Sequence, residues 1–190
     1  MAEGPNAACN GRALVVGHSF MFRLGRFVNG AEGKIRGHKI DFWGYSGANV
    51  MILRQKALGW DLSKFCILYV ELGSNDLCGC QSAEAFCQDL LGLVHLLLLR
   101  GATKVVVGEI LYRGKMRAGG LSLEAYNAKV SLANQKLREE TLTIDNMRVW
   151  THDRVRSAAL LSHDGVHPNA RGMRQYWKSV RGASLVPLHK

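Results

Sequence analysis

Short, wholly apolar runs alternate along this chain with longer stretches of helical length. The clearest runs are "RALVVG" ending at Gly17, "FCILYVEL" ending at Leu72 and "TKVVVGEI" ending at Ile110. They are rich in Val, Ile and Leu and lack polar alternation, as strands do when helices cover both faces of a parallel sheet. "HKIDFWG" around Ile40 and "MRVW" at Met147–Trp150 are weaker matches that supply two further strands. Helices are expected at about Phe20–Asn29, Asn49–Trp60, Ser82–Arg100, Leu123–Glu140 and Asn169–Val180. Strand alternating with helix predicts right-handed crossovers and a doubly wound α/β fold on a parallel five-stranded sheet. No repeat, low-complexity run or linker interrupts the pattern. A single domain over 1–190 is therefore expected, with a core of about 12–182 and short tails. "YRGKMRAGG" (Tyr112–Gly120) is the one long irregular connection and reads as a mobile flap.

Composition narrows the setting. At 190 residues and 47% hydrophobic, the chain can bury one core of ordinary size. Its net charge of +10, from 25 Lys and Arg against 15 Asp and Glu, favours contact with polyanions but is silent on fold. Five cysteines in unpatterned positions point to a reducing compartment rather than a disulfide scaffold. "CGCQSAEAFC" groups Cys78, Cys80 and Cys87, but the spacing departs from paired zinc ligands and the segment holds no His, so no metal is expected. "MAEGPNAACN" lacks the apolar core of a secretory signal. The longest apolar run, "LLGLVHLLLL" at Leu90–Leu99, is too short to span a bilayer and reads as a buried helix. These features predict a soluble, cytoplasmic protein with no transmembrane segment, and they leave the oligomeric state open.

Ligands of a doubly wound sheet bind beyond the carboxyl ends of its strands. Four polar stretches fall at strand ends or in late loops: "GHSF", "GYSGANV", "LGSNDL" and "HDGVHPNARG". A serine such as Ser19 is a poor nucleophile until a base accepts its proton and a carboxylate orients that base. Asp164 and His167, three residues apart, can meet in a turn through the imidazole Nδ1 and leave Nε2 for the serine. Donors for a developing oxyanion are available from the Ser19 N–H, the Gly47 N–H and the Asn75 side chain. Each residue also has an ordinary reading. Ser19 can cap a helix, Asp164 can cap the last helix, and Asn75 and Asp76 can be turn residues. His18, His38, His95, His152 and His163 read as structural or solvent-facing, with His163 a candidate for the cleft rim and Cys78 for its edge. Phe20, Met21 and Phe22 fit either core packing or an acyl pocket. An α/β-hydrolase elbow is excluded, because Met21 stands where G-x-S-x-G requires its second glycine.

In their order, these stretches resemble the blocks of the SGNH (GDSL-type) hydrolase family, over Arg12 to about Gly182. The resemblance implies a three-layer α/β/α, flavodoxin-like fold and cleavage of esters, acetyl or longer acyl, without a cofactor. It also implies that Ser19 is the nucleophile and Gly47 the oxyanion glycine. Asn75 of "GSND" matches the G-x-N-D block, and Asp164 with His167 matches the closing D-x-x-H. One departure stands out: Gly17-His18-Ser19 replaces the usual Gly-Asp-Ser. That variant is similar to SGNH domains encoded by some retrotransposons.

Two functions follow from this reading. The first is a serine esterase acting on a small-molecule or lipid ester. The alternative is a binding module of the same fold that contacts RNA or single-stranded DNA weakly through a basic surface, with little or no hydrolysis. The surface in question lies in "NARGMRQYWKSVRG", where Arg171, Arg174, Lys178 and Arg181 fall on one helical stripe. Tyr176 and Trp177 interrupt the run, and either can offer a ring for base stacking.

Overall fold

The apolar runs become the strands of one sheet in a computed structural model that describes residues 12–28, 34–35, 38–116, 120–155 and 157–184. In chain order the elements are β1 (Arg12–Gly17), α1 (Ser19–Val28), β2 (Lys34–Ile35), β3 (His38–Gly44), α2 (Val50–Ala57) and β4 (Ile67–Glu71). They continue with α3 (Ala83–Leu99), β5 (Val105–Gly108), α4 (Leu123–Glu140), β6 (Met147–Trp150), a 3-10 turn at Ala158–Leu160 and α5 (Ala170–Ala183). The strand order is β2-β3-β1-β4-β5-β6. From β3 to β6 every neighbouring pair is parallel, which gives the five expected strands and a flavodoxin-like order. The short β2 adds an antiparallel edge that the sequence pattern did not disclose, because two residues are too few to show a period.

Side chains alternate across the sheet as strand geometry requires. Leu14, Val16, Leu68, Val70, Val105 and Val107 pack under α2, α3 and α4. Ala13, Val15, Tyr69 and Val106 pack under α1 and α5. The helices start where polar caps stop the chain from extending. Asn49, Ser82, Ser122 and Asn169 each accept an N–H from the residue three further on. Asn169 therefore caps α5, and the cap reading of Asp164 does not hold.

With β1 lying between β3 and β4, the crossovers leave β1 and β4 toward opposite faces and open a crevice at their carboxyl ends. "GHSF" follows β1 and "LGSNDL" follows β4, so two of the four polar stretches meet at that crevice.

Two expectations need correction. Cys66 is disulfide-bonded, whereas Cys78, Cys80 and Cys87 are thiols. Cysteine pairing depends on spatial approach, which spacing along the chain does not reveal, so the inference of a reducing compartment does not carry over. The loop read as a flap is pinned over Tyr112–Met116, and residues 117–119 of it lie outside the described residues. There Asn127 bonds both the N–H and the carbonyl of Arg113, and the Gly114 N–H donates to the Gly165 carbonyl at 2.7 Å. Among the described residues no helix is long and apolar enough to cross a membrane.

Candidate active site

β1 ends at Gly17, and α1 begins two residues later. His18, in the position before the helix, does the capping: its Nδ1 accepts the Phe20 N–H at 3.3 Å. Ser19 is thus the first helical residue rather than the cap, and its hydroxyl is left for another partner. That partner is His167, whose Nε2 lies 3.0 Å from Ser19 Oγ across a sequence separation of 148 residues.

The loop before α5 holds His167 in place. Its carbonyl accepts the Ser162 N–H at 2.7 Å, and Leu161 and Pro168 form an isolated bridge. The Asn169 amide ties down the carbonyls of Ala159 and Leu161. Within this loop Asp164 Oδ1 accepts the N–H groups of Val166 and His167, and Oδ2 lies 2.7 Å from His167 Nδ1. Burial pushes the Asp164 carboxyl up. The hydrogen bonds and the imidazole outweigh that push and hold it well below the usual carboxylate range. With its Nδ1 proton directed at Asp164, His167 presents Nε2 as an acceptor for the Ser19 hydroxyl.

The second and third polar stretches are stapled together beside this chain. Gly47 sits in the turn before α2 at φ 75°, in the left-handed region that favours glycine. Asn75 donates one amide hydrogen to the Ala48 carbonyl at 2.8 Å. Asp76 accepts the Val50 N–H at 2.8 Å and the Gly73 N–H at 3.1 Å. Through these two bonds Asp76, for which a turn role was one alternative, joins the start of α2 to the loop after β4. Ser19, Gly47, Asn75, Asp164 and His167 all line one cleft of about 740 Å³. Phe20 and Cys78 line it as well, and the Phe20 ring meets the His167 ring edge-on at 5.5 Å. Phe22, by contrast, is exposed, and Met21 is core. His163 is exposed and does not line the cleft. Among the described residues no group of three or more His, Cys, Asp or Glu could hold a metal ion.

His18 is 1% exposed, and burial lowers its pKa to about 4 against the opposing pull of Glu71. Neutrality suits its place, because only a neutral imidazole has a nitrogen free to accept the Phe20 N–H. Behind it lies a second polar group that the sequence did not disclose. Tyr69 donates to Glu71 at 2.5 Å, and His152 Nε2 is 2.8 Å from the same tyrosine oxygen. His152 Nδ1 is 2.9 Å from Ser179 Oγ, which accepts from the Trp150 indole at 3.0 Å. Burial raises the Glu71 carboxyl, and the donors converging on it more than offset that, so it stays below its ordinary value. These residues come from β4, β6, the loop that follows β6, and α5, and no short motif links them.

The basic stripe is also as exposed as the sequence suggested. Arg171, Arg174, Lys178 and Arg181 line a groove of about 590 Å³ between α1 and α5, together with Phe27. The stacking roles given to Tyr176 and Trp177 fail, because both are buried under the helix. The period that turns the cations outward turns Met173, Tyr176, Trp177 and Val180 inward. Phe27, 43% exposed, is the exposed ring of the groove, and the buried Trp177 forms part of its floor.

Comparison with known proteins is consistent with this geometry. The model of the GDSL-like lipase/acylhydrolase family matches residues 15–175. No curated protein matches the chain significantly. A GDSL-like lipase from Bacteroides thetaiotaomicron superposes with a TM-score of 0.71 at 15% identity, covering 92% of this chain and 88% of that one. A member of the lipolytic protein G-D-S-L family from Veillonella parvula gives 0.70 at 17% identity, covering 92% and 99%. A mutant of an acetyl-xylooligosaccharide esterase from Geobacillus Stearmophilus gives 0.66 at 13% identity, covering 95% and 96%. At such identities these likenesses show a shared fold.

Proposed function

The chain belongs to the GDSL-like lipase/acylhydrolase family, and on that premise we propose that it is a serine esterase cleaving carboxylic esters, acetyl or longer acyl, through an acyl-enzyme on Ser19. The observation that carries the reading is the connected chain Ser19–His167–Asp164, at 3.0 and 2.7 Å, opening into a cleft.

In the first half-reaction Ser19 Oγ bonds to the ester carbonyl carbon as its proton passes to His167 Nε2. The carbonyl oxygen takes up the negative charge. The backbone N–H groups of Ser19 and Gly47 and the second amide hydrogen of Asn75 are the donors that stabilise it. The C–O bond to the alcohol then breaks, and His167 returns the proton to the departing alkoxide. In the second half-reaction water gives a proton to His167 Nε2 and its oxygen bonds to the acyl carbon. The bond to Ser19 Oγ breaks, and the serine regains its proton as the carboxylic acid leaves. Asp164 holds the imidazole tautomer and stabilises the imidazolium in both halves. No cofactor is required.

Labelling with a fluorophosphonate, followed by mapping of the modified peptide, tests this without knowledge of the natural substrate. Label on Ser19, with turnover of acetyl or butyryl p-nitrophenyl esters above a Ser19→Ala control, is expected. A folded protein that neither labels nor turns over these esters defeats the proposal.

The groove between α1 and α5 favours the alternative function as a second, separable activity. α1 and α5 carry Arg23, Arg26, Arg171, Arg174, Lys178 and Arg181 and no acidic residue. On the opposite face of the sheet, basic and acidic residues of α2, α3 and α4 balance. A cationic groove with one exposed ring suits a single nucleic-acid strand, bound weakly and with steep salt dependence. Filter retention of a labelled oligonucleotide should be seen at low salt, survive Ser19→Ala and vanish on reversing Arg174 and Lys178 to Glu. No retention at low salt removes this reading.

A further inference from the structure

Among the described residues, three cations share the cleft with Ser19 and His167, and none of them meets a carboxylate. Arg23 lies four residues after Ser19 on α1, on the same helical face, and is exposed with no ion pair to a described residue. Arg113 donates to the Ser74 carbonyl at 2.7 Å and to the Ser74 hydroxyl at 3.1 Å, and its guanidinium lies 4.7 Å over the Tyr126 ring. Lys115 donates to the His163 carbonyl at 2.9 Å. These partners are neutral, so they fix the side chains without cancelling their charge. Among the described residues the cleft lining contains one carboxylate, Asp164, and both of its oxygens are taken by His167 and Val166. Glu71 behind His18 is sealed from the cleft and engaged by Tyr69 and His152.

An arrangement of this kind concentrates positive potential where a substrate must sit, because the walls of a cleft focus the field of charges that line it. A neutral ester makes no use of that potential, whereas an anionic one is drawn in and held. We propose that the substrates of this site are esters carrying an anionic oxygen group, carboxylate or phosphate, on the acyl or the alcohol portion, and that Arg23, Arg113 and Lys115 recognise it. This rests on the esterase reading above and adds a substrate class to it. The three side chains bind rather than react: proton transfer stays with His167.

Ester pairs in which one carboxylate is free or methylated test the idea, with release of the phenol as the readout. On the alcohol side, para-acetoxybenzoate is compared with its methyl ester; on the acyl side, monophenyl adipate is compared with methyl phenyl adipate. The intact protein should prefer the anionic member of at least one pair by about tenfold in kcat/KM at low salt, where the field of three cations reaches furthest. The pair that shows the preference reports which portion carries the charge. The preference should fall toward unity near 1 M salt, where screening reaches within about 3 Å. It should fall likewise in the double variant Arg23→Gln, Lys115→Gln, whose altered residues are exposed and outside the core. Equal or faster turnover of the neutral esters overturns the inference while leaving the esterase reading intact. So does an anionic preference that neither salt nor the double variant reduces. No turnover of any of the four esters, with no fluorophosphonate labelling, defeats both.

Discussion

Two groupings of serine, histidine and carboxylate lie on the α1/α5 side of the sheet, and they behave as opposites. In the cleft, Ser19, His167 and Asp164 form a chain in which His167 and Asp164 side chains remain 19% and 36% exposed. Beneath it, Ser179, His152, Tyr69 and Glu71 form another, in which His152 and Glu71 are 1% exposed. The buried group is closed off, and each of these four side chains has a partner within it. Its donors can all run one way, from the Trp150 indole through Ser179, His152 and Tyr69 to the Glu71 carboxylate. Ser179 is further committed because its oxygen already accepts from Trp150. The open group ends on a hydroxyl that lines a cleft of about 740 Å³, beside the Gly47 and Asn75 groups proposed above as oxyanion donors. The two groups share residue types and differ in that open end, which is why the proposed chemistry belongs to the cleft. His18 stands between the two, lining the cleft while its titration is pulled up by Glu71 and down by His167.

Substitution of the matching residues separates the groups. Ser19→Ala and His167→Ala should each reduce kcat on p-nitrophenyl acetate by about 10⁴–10⁶-fold, because members of such a chain act as a unit, while thermal unfolding barely moves. Steady-state rates on protein of verified fold check this, and a loss under tenfold removes the distinction.

His18 comes next. The unfolded chain takes up a proton here near pH 6.5, and the folded chain only near pH 4. In that window the unfolded state holds more protons, so acidification should cost about 3 kcal/mol from this site alone, at 1.36 kcal/mol per pH unit. Asp164 acts elsewhere: its depressed carboxyl adds stability that is present above its ordinary value of 3.8 and lost at lower pH. Urea unfolding at pH 7, 5.5 and 4 should therefore show a flatter slope in His18→Asn, which keeps an acceptor for the Phe20 N–H. An unchanged slope would mean that other groups govern the acid limb.

Glu71→Gln should lower stability by about 2 kcal/mol, the range for losing hydrogen bonds to a buried charge, and leave fluorophosphonate labelling of Ser19 in place. Chemical unfolding and labelling of the same sample decide it. Ser179→Ala should give the smallest effect, about 1 kcal/mol of stability and no more than a twofold change in turnover. A large activity loss with stability preserved would tie the buried group to the chemistry and erase the contrast.

The contrast also marks what the sequence could disclose. Buried strands were legible because a parallel sheet between helices demands unbroken apolar runs, as at Leu14–Val16 and Val105–Val107. The meeting of Asp164 and His167 was legible because three residues of one turn span the distance. The buried group was not, since Tyr69 and His152 stand 83 residues apart and meet only because β4 and β6 flank β5 in one sheet. Arg113 was hidden within an irregular loop, where no period indicates that it reaches back to Ser74. Tyr176 and Trp177 differ from expectation for a simpler reason: they alternate with the cations along α5, and the helical period that exposes the cations turns both rings inward.

The 148-residue separation of Ser19 from His167 has a consequence for the making of the protein. Synthesis delivers the serine early and its base late, and domains fold as their chain becomes available. A nascent or truncated polypeptide lacking α5 and the loop before it would carry an unactivated hydroxyl at the end of β1. On the proposed mechanism, hydrolytic competence would arrive in one step, with the segment that carries His167.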